Sequence, residues 1–123
     1  MTATSGTVAV TGGSGFIGSN VVDALIDSGR TVRVIDTVEP HRPDVEWLPD
    51  ADILDVESLL PAVEGTEAVF HLAGAVSRDP DDAQRMMRLH VDGTRRVLAA
   101  MAAAGVRRMV LASTSGTIGV SRS

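Results

Sequence analysis

Cysteine, lysine and tyrosine are all missing from this chain, and aromatic residues are nearly so. Without cysteine there is no disulfide and no thiolate metal site, and a reduced, cytoplasmic setting is the default expectation. Phe16, Phe70 and Trp47 are the only aromatic residues, so the core has to close with Val, Ala, Leu and Ile. The 11 residues counted as Lys+Arg are all arginine, and the net charge is -5. Nucleic acids and anionic membranes call for clustered positive charge, which this balance disfavours. No apolar run approaches the ~20 residues needed to span a bilayer. The first seven residues are mostly small or polar and uncharged, unlike a signal peptide. His41, His71 and His90 are too far apart to form a local ligand pair, so no metal site is expected.

What is present has the rhythm of alternating strands and helices. The 123 residues suffice for one domain, which buries roughly two thirds of its unfolded surface at this size. Thr7 to Thr11 is a short β-branched run and reads as the first strand. Phe16, Ile17, Val21, Val22, Leu25 and Ile26 recur at helical spacing, and Gly29 is placed to end that helix. Thr31 to Asp36 reads as the second strand, and Val45 to Leu48 as a short third. Asp55 to Val63 is a short helix capped by Asp55, which Pro61 should end or kink early. Ala68 to Ala73 is the fourth strand. A long helix runs from Asp81 to Ala104, its acidic first turn suiting the helix dipole, and Gly105 stops it. Val106 to Ala112 is the fifth strand. Such alternation implies a doubly wound parallel sheet with right-handed crossovers, of expected strand order 3-2-1-4-5.

The sharpest motif is Thr11-Gly12-Gly13-Ser14-Gly15-Phe16-Ile17-Gly18. Its glycines at 12, 15 and 18 follow a strand and open a helix, the context a dinucleotide fingerprint requires. Gly12 permits a tight turn, Gly15 lets backbone approach a pyrophosphate, and Gly18 lets the helix pack close to the sheet. The free N–H groups at the helix start then face the phosphates. Asp36 follows about 20 residues later at the end of strand two, where a carboxylate accepts from the adenosine ribose hydroxyls. It would repel a 2′-phosphate, which favours NAD over NADP. The position of Arg42, which could greet such a phosphate, is not readable in its proline-containing loop.

On these residues the chain resembles the extended short-chain dehydrogenase/reductase superfamily, specifically the NAD-dependent epimerase/dehydratase family, over nearly its whole length. Residues 11–18 are similar to that family's TGxxGxxG turn. Ala51-Asp52-Ile53-Leu54-Asp55 resembles its Gly-Asp-x-x-Asp segment, which implies Asp52 at the adenine amino group and Ile53 lining the adenine pocket. His71-Leu72-Ala73-Gly74 resembles its His-Leu-Ala-Ala. There small residues let backbone pass the cofactor, and His71 itself reads as a structural strand residue. Val91-Asp92-Gly93-Thr94 resembles part of its Asn-Val-x-Gly-Thr segment, with His90 where the Asn stands. His90 either replaces that Asn or is a histidine on the helix face. The run from Val106 to Gly119 resembles strand five and the hydroxyl loop after it. The resemblance puts Thr114 at the catalytic Ser/Thr, beside Ser113 and Ser115, with Ile118 where a Tyr is frequent.

The family's Tyr-x-x-x-Lys pair has no counterpart, since the chain has neither residue. Two readings follow. In one, residues 1–123 are a partial Rossmann domain, truncated after strand five, of a longer enzyme acting on a nucleotide-sugar or similar hydroxyl or carbonyl substrate. In the other, a complete short protein binds a dinucleotide as a sensor or interaction module. The resemblance also implies a homodimer through helix 81–104. Along it Met87, Val91, Thr94, Leu98 and Met101 form a stripe expected to pack on the sheet. Met86, Val97 and Ala100 would be the outward patch. Arg85, Arg88, Arg95 and Arg96 read as the solvated face, not a phosphate clamp.

Overall fold

The computed structural model describes residues 6–74 and 79–114. Five parallel strands form one sheet in the order β3-β2-β1-β4-β5, as the alternation predicts. They are β1 (Thr7–Thr11), β2 (Thr31–Ile35), β3 (Glu46–Trp47), β4 (Ala68–His71) and β5 (Met109–Leu111). Each is as long as predicted or shorter. The helices are α1 (Phe16–Asp27), α2 (Val56–Val63), α3 (Ala83–Met87) and α4 (Gly93–Ala104).

The period-two alternation of the strands decides which helix each residue meets. Val8, Val10, Val32 and Val34 point to one face and pack with Val22 and Leu25 of α1. Ala9, Ile35 and Val69 point to the other, against Leu59, Ala62 and Val63 of α2 and Val97, Ala100 and Met101 of α4. In register, Val10 lies between Val34 and Phe70. No aromatic residue is among the fully buried side chains, so the core is aliphatic, as the composition requires.

Local signals account for the ends. Asp55 accepts from the Glu57 amide at 3.1 Å, and Asp79 from the Asp81 amide at 3.0 Å. Each satisfies a donor that the helix leaves open. Two expectations need correction. Helix α2 runs on to Val63 with Pro61 inside it. Burial of Leu59, Ala62 and Val63 outweighs the missing hydrogen bond. Arg33 of β2 also takes the terminal carbonyls of Ala62 and Glu64, at 3.1 and 2.6 Å.

The long helix is not one regular helix. A 3-10 turn at Pro80–Asp82 leads into α3, a π turn at Arg88–Asp92 follows, and α4 completes it. A π turn adds a residue to one turn and shifts the helical phase. The expected faces are therefore largely exchanged. Val97, Ala100 and Met101 are buried, whereas Met87, Leu98 and Val91 are 62%, 47% and 36% exposed. Of the stripe expected to meet the sheet, Met101 alone is fully buried.

This exchange yields a stability test. Val97→Ala should cost about 1.5–3 kcal/mol, the lost methyls plus the cavity left behind. Leu98→Ala should stay within about 0.5 kcal/mol. Urea unfolding of the two variants checks both, and equal costs would contradict the assigned faces.

Candidate dinucleotide site

Strand order reverses between β1 and β4, and the candidate site opens at the carboxyl ends of these strands, where open α/β sheets bind ligands. A cavity of about 490 Å³ lies there. It brings together Gly12, Asp36, Asp52, Ile53, Ala73 and Gly74 of the predicted set. Arg85 and Leu89 form part of the opposite wall, and Thr37, Pro49 and Asp50 extend the rim.

The turn after β1 is built for close approach. Gly12 has φ +72°, a left-handed conformation that side chains disfavour, and a Cβ on it would meet backbone of Ala73 at 2.8 Å. A Cβ on Gly18 would run into the Gly12 carbonyl oxygen. At Gly15 the space is open, the nearest obstacle being the Gly12 oxygen at 3.4 Å. This cradle suits a diphosphate lying against main chain, so the residues fit the implied dinucleotide. Gly15, Phe16, Ile17 and Gly18 do not line the cavity but continue from its edge into α1. Phe16 and Ile17 are 88% and 63% exposed. Leu72 is not in the lining and packs with the α1-side core. Ser113 and Thr114 follow β5 and are exposed, away from the lining. Ser115, Ile118 and Gly119 lie outside the described residues.

Asp36 organises this end of the sheet. Its carboxylate accepts from the Ser14 amide at 3.0 Å and the Val38 amide at 2.9 Å. The Trp47 indole donates to its carbonyl at 2.9 Å. A carboxylate has about four acceptor positions, so ribose hydroxyls can still be accommodated. Arg42 is already committed. It forms a two-pronged pair with Asp44, both contacts 2.7 Å, and reaches Asp23 at 2.8 Å. The Arg42 guanidinium in turn holds the Asp44 carboxyl below its usual range. Asp52 accepts from the Leu54 amide at 2.8 Å, bending the loop so that Ile53 lines the cavity.

Beneath the turn lies a hydrogen-bond chain that sequence reasoning missed. The Thr11 hydroxyl accepts from the amides of Leu72 and Ala73, each at 3.1 Å. Its one proton is therefore left for His71 Nδ1, at 2.7 Å. His71 Nε2 then carries the ring proton and donates to the Thr94 hydroxyl at 3.0 Å. Thr94 donates to the His90 carbonyl at 2.6 Å, within the π turn. Thr11 and His71 are 0% and 3% exposed. The structural reading of His71 holds. The available signal was a threonine at the end of one strand and a histidine at the end of another, without the pairing. The His90 ring packs against Gly74, which places it beside the cavity.

Burial, and secondarily the charge of His90, holds the His71 imidazole below its usual range. A proton on Nδ1 would also remove the acceptor for Thr11. Between the folded value and about 6.5 the unfolded chain binds more protons, so stability rises with pH there. The contribution is fully present above about 6.5 and is lost as pH falls through that window. Urea midpoints at pH 7.5 and 5.0 should show the loss, and His71→Asn should be less stable but lack this part of the slope. Thr11→Val should cost about 1–3 kcal/mol, chiefly through the Ala73 amide and His71 Nδ1 left without the hydroxyl.

The comparisons with known proteins agree with this geometry. The model of the NAD dependent epimerase/dehydratase family matches residues 8–123. A 3 beta-hydroxysteroid dehydrogenase/Delta 5-->4-isomerase of Mycobacterium tuberculosis is 36% identical over 127 residues, covering 96% of this chain and 34% of the relative. A short-chain dehydrogenase/reductase superfamily protein from Agrobacterium tumefaciens, solved with bound NAD, is 42% identical with TM-score 0.77, over 88% of this chain and 32% of that one. MoeE5, solved with UDP-glucose and NAD, is 34% identical with TM-score 0.80, over 94% of this chain and 39% of that one. The chain thus spans about a third of the length of the curated relatives it matches. With its sheet order, glycine turn and family match together, the chain belongs to the NAD-dependent epimerase/dehydratase family.

Proposed function

We propose that this chain is the NAD-binding portion of an enzyme that oxidises or reduces a carbinol or carbonyl carbon, with a nucleotide sugar or a similar hydroxyl or carbonyl compound as substrate. The observation that carries the reading is the cavity at the strand ends, walled by the Gly12 turn and by Asp36. When bound, NAD supplies the hydride acceptor or donor. Gly12, Gly15 and Gly18 keep the turn low enough for the diphosphate, and Phe16 and Ile17 flank it. Asp36 takes the adenosine ribose hydroxyls. Asp52 and Ile53 hold adenine, and Leu72, Ala73 and Gly74 leave room along the floor. Thr114, with Ser113 beside it, would bind the substrate oxygen that gains or loses a proton. The Tyr and Lys of the family pair are not among these residues, so the proposed share of this chain is cofactor binding.

The nucleotide-sugar reading draws on the likeness to MoeE5, the structure with UDP-glucose and NAD. A hydroxysteroid-type carbinol is the second reading, favoured by the 36% identity to the mycobacterial dehydrogenase. Both substrates present the same alcohol chemistry to the nicotinamide. A non-catalytic dinucleotide sensor is the alternative from another class. NAD is preferred over NADP because Asp36 repels a 2′-phosphate and Arg42 is engaged elsewhere. The proposed setting is cytoplasmic. No helix among the described residues is long and apolar enough to cross a membrane. The proposed homodimer would use the helical run 81–104, where Met87, Val91 and Leu98 are exposed. Sedimentation at rising concentration should then show dimers.

Calorimetric titration of the chain with NAD and NADP tests the cofactor reading. NAD should saturate, and NADP should bind at least about tenfold more weakly, a difference of 1.4 kcal/mol. Asp36→Asn should weaken NAD and narrow its lead over NADP. Equal binding of both nucleotides by the parent chain would refute the role of Asp36.

A further inference from the structure

The cavity poses an electrostatic problem for the ligand it fits. Three carboxylates, Asp36, Asp50 and Asp52, lie in its lining. A dinucleotide brings a diphosphate of two negative charges into this acidic surround. The glycine turn offers main-chain amides but no cationic side chain, and the chain has no lysine. Among the described arginines, Arg30, Arg33 and Arg42 are held in ion pairs. Arg88, Arg95, Arg96, Arg107 and Arg108 do not reach the lining. Arg85 does, and none of the ion pairs among the described residues involves it.

Its placement follows from the backbone. Arg85 lies in α3 and Leu89 in the π turn, four residues apart and therefore on one face. Both line the cavity, across from the loop that carries Asp50 and Asp52. The helical pattern alone assigned Arg85 to the solvated face. The π turn lies between Arg85 and Arg95 and shifts the phase of the latter; Arg88 and Arg95 are both absent from the lining.

We propose that Arg85 is the charge-compensating residue of this pocket and pairs with the diphosphate of the bound dinucleotide, a role that rests on the NAD-binding reading above. Asp52 turns its carboxylate to its own backbone, and Asp36 is engaged by two amides. None of the three carboxylates forms an ion pair with Arg85 among the described residues, so the guanidinium stays available to the ligand. The pocket thereby selects a ligand with an anionic linker over a neutral nucleoside.

Calorimetric titrations of the full chain and of Arg85→Gln with adenosine, ADP and NAD test this. The substitution should weaken ADP and NAD about three- to tenfold, in the range of one partly exposed charge pair. Adenosine should change less than about twofold, since it carries no charge for Arg85 to meet. Arg85→Lys should recover part of the loss, and the NAD affinity of Arg85→Gln should depend less on salt than that of the parent. Thermal melting should not move, because Arg85 is exposed. NAD binding by the parent that Arg85→Gln leaves unchanged would overturn the role of Arg85 and leave the cofactor reading standing. Equal weakening of adenosine and ADP would overturn it in favour of contact with the base. A folded parent chain that binds no NAD would overturn both.

Discussion

The Thr11 hydroxyl ties the end of β1 to the end of β4, and the cofactor end of the molecule depends on that tie. It accepts from two β4-side amides and donates to His71 Nδ1. The Leu72 amide also reaches the Thr11 carbonyl at 3.1 Å, whereas the Ala73 amide, where the chain leaves the sheet, has the hydroxyl as its acceptor. Leaving buried donors unsatisfied costs about 1–3 kcal/mol each. The same bonds hold Ala73 against Gly12, whose left-handed backbone leaves no room for a Cβ. The floor of the cavity and the fold of the glycine turn therefore share one set of contacts.

The chain of bonds continues through His71 to Thr94 and the π turn. One side of the sheet is in this way linked to the irregular part of the helical run. That irregularity places Arg85 and Leu89 on the cavity while α4 keeps Val97, Ala100 and Met101 in the core. It also lets Gly93 sit against Ile53, where a Cβ would come within 2.8 Å of the Ile53 side chain. The π turn thus lies where the cavity-lining Arg85 and Leu89 give way to the buried Val97, Ala100 and Met101.

The proposed preference for an unphosphorylated ribose rests on electrostatics. Asp36 is anchored by Ser14, Val38 and Trp47, so its charge cannot swing aside for a 2′-phosphate. Arg42, the nearby cation that could reverse that preference, is held by Asp23 and Asp44.

The sequence by itself determined the strand order, the helix at Phe16, the glycine turn and Asp36 at the end of β2. These rest on local rules: β-branched runs, glycines at fixed spacing, a carboxylate at a set distance. Asp52, Ile53, Ala73 and Gly74 were legible through the family motifs that contain them. Tertiary structure alone decided the pairing of Thr11 with His71, 60 residues apart, and the commitment of Arg42. It also decided which face of the long helix is buried and that Arg85 lines the cavity. Hydrogen-bond partners brought together by folding leave no spacing signal in the chain. Helical phase is predictable only while the helix stays regular, and the π turn at Arg88–Asp92 breaks it where core and site meet.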